Sequence, residues 1–335
     1  MAFTGRFVVN IAHFASKQGA DLGELIAMSG ETAATLCEES HMIEDAVYNA
    51  IVERAVELTK DEFFGLHAGE NLSLAAAGLI AQISQTSETV KQALELCCEF
   101  ANLGCSALPM QLEEEKDHYK VSMVPNELWR QQSPLAVKHT ADGVIAFSIR
   151  EFHSLTRMKH YPIAVHMSWP QPSNVAEYER VFGCPVRFNQ DGIAILFRRE
   201  HVEEKVVTAD YNLLRILVAH AGEKTSQMQH DRGFVAMVKQ SVVGLVKPEF
   251  PTIEQVAGHL NVSSRTLQRR LKEEGFTYKQ LIDELRQEFA LGYLKRADLS
   301  VGEIAYLLSY ADTSAFTRSF KRWTGKTPVE YRRNK

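Results

Sequence analysis

The sequence is poor in cysteine and has no long apolar run. Its five cysteines are odd in number and form no CxxC pair, so it lacks the spacing of a zinc site, a redox motif or a disulfide framework. The longest apolar candidate, residues 72–83, contains Ser73 and Gly78 and is shorter than the roughly 20 residues of a membrane-spanning helix. We expect a cytoplasmic protein without a membrane span. A redox role of the cysteines stays open, since it depends on thiol pKa values.

Sequence patterns of common enzyme chemistries are absent as well. The chain contains no GxSxG, GxxxxGK[ST], GxGxxG or HExxH, the local patterns of nucleophilic, phosphate-binding, dinucleotide-binding and zinc-protease sites. His67, His139, His153 and His166 show no metal-ligand spacing. We predict no catalytic residue, no cofactor and no metal site.

The 335 residues are enough for two domains of about 150 residues each, and charge divides the chain in two. Residues 231–335 contain 18 Lys and Arg against 12 Asp and Glu, whereas the residues before them contain 19 against 30. A basic block behind an acidic one indicates a nucleic-acid-binding domain joined to one of another function. The polar segment 224–232 has no clear periodicity, so we predict a linker there, between domains 1–223 and 233–335.

The first domain mixes two hydrophobic periods. Residues 47–58 repeat apolar side chains at helical steps, whereas 119–123 and 163–169 alternate as half-buried strands do. Residues 186–197 predict a β-hairpin, because the Asn-Gln-Asp-Gly run 189–192 tolerates the positive φ of a tight turn. We therefore predict an α+β domain.

The second domain carries only helical patterns, and these repeat. Ala257 matches Ala305 at an offset of 48 residues, whereas Leu267 and Leu271 match Phe316 and Phe320 at 49. One helical unit is thus present twice, at about 252–274 and 300–324, with one added residue in the second copy.

Each copy has the pattern of a helix-turn-helix. Thr252 with Gln255 and Ser300 with Glu303 are spaced as capping boxes at a helix start. Asn261 follows the first helix, where a left-handed backbone is often needed and Asn accepts it. The second helices begin at N-cap candidates, which are Ser263 or Ser264 in one copy and Asp312 in the other.

The side chains opposite the buried face of each second helix suit DNA. Arg can bond guanine with two hydrogen bonds, Gln can bond adenine, Lys mostly meets phosphate, and Ser or Thr does either. The predicted DNA-contacting residues are Ser264, Arg265, Gln268, Arg269, Lys272, Ser314, Thr317, Arg318, Lys321 and Arg322. Between the copies, residues 278–296 predict a linker helix about 28 Å long, close to the roughly 34 Å between successive major grooves. We predict an all-α domain with two helix-turn-helix units joined by this helix.

Particular runs of this domain resemble a known family. Residues 263–271 (SSRTLQRRL), Ile304-Ala305, 316–328 (FTRSFKRWTGKTP) and Tyr331-Arg332 are similar to the DNA-binding domain of the AraC/XylS family of bacterial transcription regulators, over about residues 234–333. The chain departs from that family at Ser309-Tyr310, where Gly-Phe is usual. Either Ser309 adopts a left-handed conformation at a cost of roughly 1 kcal/mol, or the turn differs slightly. Both cases place the affinity of the second unit in question.

The first domain resembles the arabinose-binding-type sensor domain of regulators similar to OruR and VirS. The similarity lies in residues 64–69, 77–79, 87–93 and 178–188. It implies a small effector without implying a sugar. The predicted effector-pocket residues are Phe147, Phe152, Val165, Met167, Trp169, Ile195 and Phe197; ordinary core packing is the alternative for the same residues.

The resemblance implies a sequence-specific transcription regulator, and we expect an activator controlled by an effector. Its expected partners are double-stranded promoter DNA, RNA polymerase, the effector and a second copy of the chain in a homodimer. Two alternatives stay open. The first domain could serve only for oligomerisation, or Cys184 could accept alkyl groups, as the cysteine of some DNA-repair alkyltransferases with an AraC-like domain does.

Overall fold

The computed structural model describes residues 2–38, 41–231, 233–246, 249–294 and 299–333. They form two compact units: one within Met1–Pro125 and Ser133–Thr225, the other within Asn126–Gln132 and Ser226–Lys335. The helices are α1 (Gly5–Lys17), α2 (Leu22–Ala27), α3 (Ala33–Leu36), α4 (Asp45–Thr59), α5 (Phe64–Asn71), α6 (Leu74–Ala77), α7 (Leu79–Thr86), α8 (Val90–Phe100), α9 (Glu127–Gln132), α10 (Pro134–Thr156), α11 (Val175–Phe182), α12 (Arg199–Val202), α13 (Tyr211–Asp231), α14 (Gly233–Leu245), α15 (Ile253–His259), α16 (Ser264–Glu273), α17 (Tyr278–Leu294), α18 (Val301–Leu307), α19 (Thr313–Thr324) and α20 (Pro328–Arg333). The strands are β1 (Ala2–Thr4), β2 (Met42–Glu44), β3 (Met110–Glu114), β4 (His118–Met123), β5 (Ala164–His166), β6 (Val186–Arg187) and β7 (Ile193–Arg198).

The first unit contains helices and two sheets, which confirms the α+β prediction. One sheet pairs β1 with β2, and the other has the strand order β3-β4-β7-β5-β6. All pairs of the larger sheet are antiparallel except β5 with β6. The central strand β7 is buried along most of its length, as a strand with partners on both sides and helices on its face must be.

The predicted hairpin over 186–197 is wrong. Asn189 does take the positive φ expected of the turn, 56°, but β5 lies between β6 and β7. Asn189 donates its N–H to the carbonyl of Trp169, and Gln190 donates to that of Met167. The backbone of the turn therefore pairs with the residues after β5, and the alternating sequence pattern did not identify this partner.

Glycines allow a close helix contact in the first unit, between α5 and α10. A Cβ on Gly65 would lie 2.1 Å from the carbonyl oxygen of His139, and one on Gly69 would lie 2.4 Å from that of Gly143. Side chains at these positions would force the helices apart. Gly65 and Gly69, four residues apart in the Phe-Gly-Leu-His-Ala-Gly run, thus form the face of α5 that packs closely against α10.

The segment predicted as a linker, 224–232, is helical to the end of α13 at Asp231, and Arg232 lies outside the described residues. Along α13 the buried residues with described side chains are Leu214 and Ala221, two turns apart. None of residues 224–228 is buried, so this end of α13 has no apolar stripe from which periodicity could predict a helix.

The second unit consists of helices in its described part. The predicted pairs are α15 with α16 and α18 with α19, and α17 runs between them. The helix α17 ends at Leu294, and the last two residues of the predicted linker helix, Lys295 and Arg296, lie outside the described residues. The described portion spans about 26 Å at 1.5 Å per residue.

Candidate nucleic-acid interface

The first copy of the repeat is the helix pair α15 and α16. Thr252 and Gln255 form the predicted capping box, in which Thr252 N–H donates to the Gln255 side chain at 2.7 Å and Gln255 N–H donates to the Thr252 hydroxyl. At the turn Asn261 has φ 53°, the left-handed conformation predicted for it. The N–H of Val262 donates to the Ala257 carbonyl at 2.9 Å and closes the end of α15.

The second copy, α18 and α19, repeats this geometry. Ser300 and Glu303 form the second predicted capping box. Ser309 has φ 57°, so the residue that replaces the usual glycine does adopt the left-handed backbone. Tyr310 N–H donates to the Ala305 carbonyl at 3.0 Å, the counterpart of the bond that closes α15.

The added residue of the second copy lies in the turn. Ser263 caps α16 by accepting the Thr266 N–H at 3.1 Å, and Asp312 caps α19 by accepting the Ala315 N–H at 2.7 Å. The two left-handed residues are 48 positions apart and the two caps are 49 apart. Ala311 is therefore the added residue, and it comes before α19 begins.

Both second helices bury one apolar face. Leu267 and Leu271 of α16 and Phe316 and Phe320 of α19 have no solvent exposure. They lie one helical turn apart in each helix, which directs the opposite face outward. Eight of the ten residues predicted to contact DNA are exposed there, and Ser264 and Thr317 are half-buried.

Two of the outward arginines have acidic partners. Arg269 Nη1 lies 2.6 Å from Glu273 Oε1 one turn along α16, and Arg322 Nη2 lies 3.5 Å from Asp283 Oδ2 of α17. The first pair is exposed and the second is exposed at its arginine, and exposed pairs contribute at most about 1 kcal/mol. Phosphate or guanine can therefore displace either carboxylate. The other cations of this face form no salt bridge with any residue that the structure describes: Arg265, Lys272, Arg318 and Lys321.

The helix α17 joins the two copies through one arginine that the sequence analysis did not single out. The guanidinium of Arg286 lies 5.2 Å from the ring centroid of Phe250, just before the first copy, and 5.2 Å from that of Tyr310, in the turn of the second. The Tyr278 hydroxyl also donates to the Pro251 carbonyl at 2.7 Å. These contacts fix both helix pairs against α17.

The first unit contains a second candidate site, an apolar cavity of about 180 Å³. Four predicted pocket residues, Phe147, Phe152, Ile195 and Phe197, lie in its wall, and the rings of Phe152 and Phe197 stack at 4.6 Å. Three others do not line it: Val165, Met167 and Trp169. Much of the rest of the wall comes from α6, α7 and α8, which the sequence analysis did not connect with a pocket.

Two family models match the chain, one over residues of each candidate site. The family described as "Arabinose-binding domain of AraC transcription regulator, N-term" matches residues 19–206, more than half of the chain, and a "Helix-turn-helix domain" family matches residues 256–334. The chain belongs to the AraC family of transcription regulators.

Known relatives of this AraC-family chain include two bacterial regulators. It is 27% identical to the "Ornithine utilization regulator" of Pseudomonas aeruginosa, over 85% of this chain and 83% of the relative. It is 34% identical to VirS of Mycobacterium tuberculosis over 47% of this chain and 46% of that protein. The crystal structure of the transcriptional regulator CdpR from Pseudomonas aeruginosa aligns with 86% of this chain and 91% of its own, at 24% identity and a TM-score of 0.44.

The reactive-thiol alternative finds no support in this AraC-family structure. Cys184 is 6% exposed, and burial raises its pKa to about 12. Burial likewise raises the pKa of Cys98 and Cys105 to about 12 and that of Cys97 above its usual value. Since the thiolate is the nucleophile, these groups are poorly suited to alkyl transfer or redox sensing at neutral pH.

The four histidines considered as metal ligands have different surroundings in the structure. His67 hydrogen-bonds to Asp61 and Glu177, His139 accepts the Gly65 N–H, and His153 contacts the His160 carbonyl. The lowered pKa of His166 follows from burial. No group of three or more metal-ligating side chains occurs in the described ranges, and none of the helices described there is long and apolar enough to cross a membrane.

Proposed function

We propose that this AraC-family regulator binds promoter DNA through both helix-turn-helix units and activates transcription under the control of a small effector. The observation that supports the DNA step is the duplicated pair of second helices. Each buries an apolar face and exposes a basic and amide- or hydroxyl-bearing one. A single chain would then engage two successive major grooves.

The exposed residues divide into two proposed roles. Lys272, Lys321 and Arg322 neutralise phosphates, which sets affinity and its dependence on salt. The residues proposed to read bases, or the phosphates next to them, are Ser264, Arg265, Gln268, Arg269, Ser314, Thr317 and Arg318. Arg is suited to guanine and Gln to adenine because each offers two hydrogen bonds in one plane.

The apolar cavity of the first unit supports the effector step. A ligand that binds one state of the protein better than another shifts the protein toward that state, so an occupant of this cavity could alter how the regulator engages its promoter. RNA polymerase and a second copy of the chain remain the expected protein partners. We propose no catalysis, and a cytoplasmic location follows from the DNA target.

Fluorescence anisotropy tests the DNA step. The full chain is titrated onto DNA from upstream of its own gene and onto random DNA across a salt series. Arg318→Ala should weaken cognate binding by about 1 to 3 kcal/mol, about 5- to 150-fold, and reduce specificity, whereas Lys321→Ala should weaken both DNAs alike. Arg215→Ala removes an equal charge from the exposed surface of α13 and should leave both affinities unchanged. Equal losses on both DNAs for Arg318→Ala and Lys321→Ala would refute the division of roles.

A further inference from the structure

The size of the cavity limits its occupant to a small molecule. Apolar cavities of roughly 150 Å³ hold a single benzene ring, and the cavity in the first unit measures about 180 Å³. It lies between the helices α6, α7, α8 and α10 and the faces of β4 and β7. A one- or two-ring aromatic molecule, or an alkyl chain of similar volume, fits this space.

Most of the polar groups in the wall already have partners within the protein. The Ser84 hydroxyl donates to the Ile80 carbonyl at 2.9 Å and lies 2.9 Å from Cys97 Sγ. The Thr140 hydroxyl is 2.8 Å from the hydroxyl of Tyr48. An occupant with several hydroxyl or ammonium groups would therefore leave buried polar atoms without hydrogen bonds, at a cost for each one.

On α10 the wall offers a polar spot for an occupant. Ser148 and Glu151 both line the cavity and are three residues apart in α10, so they lie on the same face of that helix. The neighbouring residue Arg150 donates to the backbone carbonyls of Glu70 and Leu72. Its Nη2 lies 3.4 Å from Glu151 Oε1, and burial raises the pKa of Glu151. Arg150 is therefore already bonded within the protein and is not free to pair with a ligand carboxylate.

We propose that the cavity takes an apolar, uncharged molecule with a single hydrogen-bonding end placed at Ser148 and Glu151. Sugars and amino acids do not suit it, although the matching family is described as arabinose-binding. This inference rests on the proposed effector control, whose ligand class it specifies.

Binding of 1-naphthol to the full chain tests the inference, with L-arabinose and L-ornithine as polar ligands of comparable size. Affinity is measured by equilibrium dialysis without DNA. We expect saturable binding of 1-naphthol and none of the two polar ligands. Ala77→Leu adds volume at a wall position and should weaken 1-naphthol binding about tenfold or more. Ala75→Leu makes the same change at an exposed neighbouring position of α6 and should alter the affinity by less than about twofold.

A measurement on the unmodified chain covers the case in which Ala77→Leu does not fold. Hydrogen exchange followed by mass spectrometry should show slower exchange in α6, α7, α8 and α10 with 1-naphthol, and no such change in α15 to α19. The inference is overturned if 1-naphthol does not bind, if L-arabinose or L-ornithine binds and is sensitive to Ala77→Leu, if both leucine variants affect 1-naphthol equally, or if protection appears elsewhere.

Anisotropy on the same preparation separates this inference from the proposed function. Lack of specific DNA binding would refute the proposed function and leave the dialysis result intact. Unchanged DNA affinity with saturating 1-naphthol would refute control of DNA affinity by an occupant of this class.

Discussion

Acid should destabilise the first unit through His139. This histidine lies where α5 crosses α10, is 6% exposed, and accepts the Gly65 N–H at Nδ1 with a distance of 3.1 Å. Burial, reinforced by the charge of Lys138, lowers its pKa to about 3. A proton on Nδ1 would also remove the acceptor that Gly65 uses. The folded chain therefore keeps His139 neutral far below the pH at which a free histidine is protonated.

The size of the effect follows from this difference in pKa. In the unfolded chain the ring titrates near the ordinary histidine value of about 6.5. Below that pH the unfolded state binds a proton that the folded state does not, so unfolding becomes more favourable as the pH falls. Between about pH 7.5 and about pH 5 the loss amounts to about 2 kcal/mol. This figure is insensitive to the folded-state value, because only the unfolded state titrates across that range.

The assay is urea unfolding of the full chain across this pH range. His139→Asn keeps an oxygen near the position of Nδ1 and removes the titration, so it should lose about 2 kcal/mol less than the unmodified chain between the two pH values. His13→Asn, at an exposed position, should follow the unmodified chain. Gly65→Ala would push α5 away from α10 and so destabilise the first unit. The unfolding transition that this variant shifts is therefore the transition of the first unit. Equal pH dependence with and without His139 would refute the argument.

Three further predictions concern the DNA-binding unit. Ser309→Gly relieves a left-handed serine, worth about 1 kcal/mol, and removes only a long hydrogen bond of 3.4 Å from the Phe250 N–H, so the Tm should rise; a lower Tm would contradict it. Arg286→Met removes both ring contacts and should lower the free energy of unfolding in urea by about 1 to 2 kcal/mol. Its affinity should fall more for DNA that carries both half-sites than for DNA that carries one; equal losses would show that the contact does not align the two helix-turn-helix copies. Glu273→Gln frees Arg269 and removes an anion near phosphate, so anisotropy should show tighter binding, and weaker binding would contradict this reasoning.

The turns and helix starts of the DNA-binding unit were predictable because the interactions that define them are local. A capping box joins residues three positions apart, and a left-handed turn depends on one residue and its neighbours. Thr252, Asn261 and Asp312 therefore carry their structural roles in the sequence itself. Repetition strengthened the prediction, since the same spacing occurred twice.

The cavity and the order of the sheet depend on contacts between distant residues. Hydrophobic periodicity predicts which face of an element is buried, but not the element that covers it. Phe147 and Ile195 were thus predictable as buried, whereas their placement beside α6 and α7 was not. The same reason explains the failed hairpin, because nothing within 186–197 shows that β5 pairs with both of its strands.

The added residue and the left-handed serine do not disturb the proposed DNA face of the second copy. Ala311 precedes the N-cap Asp312, so α19 begins one residue later and every later position matches α16 at an offset of 49. Arg318 then corresponds to Arg269, but the position of Glu273 is taken by Arg322. Arg318 consequently has no acidic neighbour one turn along the helix, whereas Arg269 is paired with Glu273. The strain at the turn therefore bears on the stability of the second copy. We expect α19 to bind DNA without first breaking a salt bridge of its central arginine, Arg318.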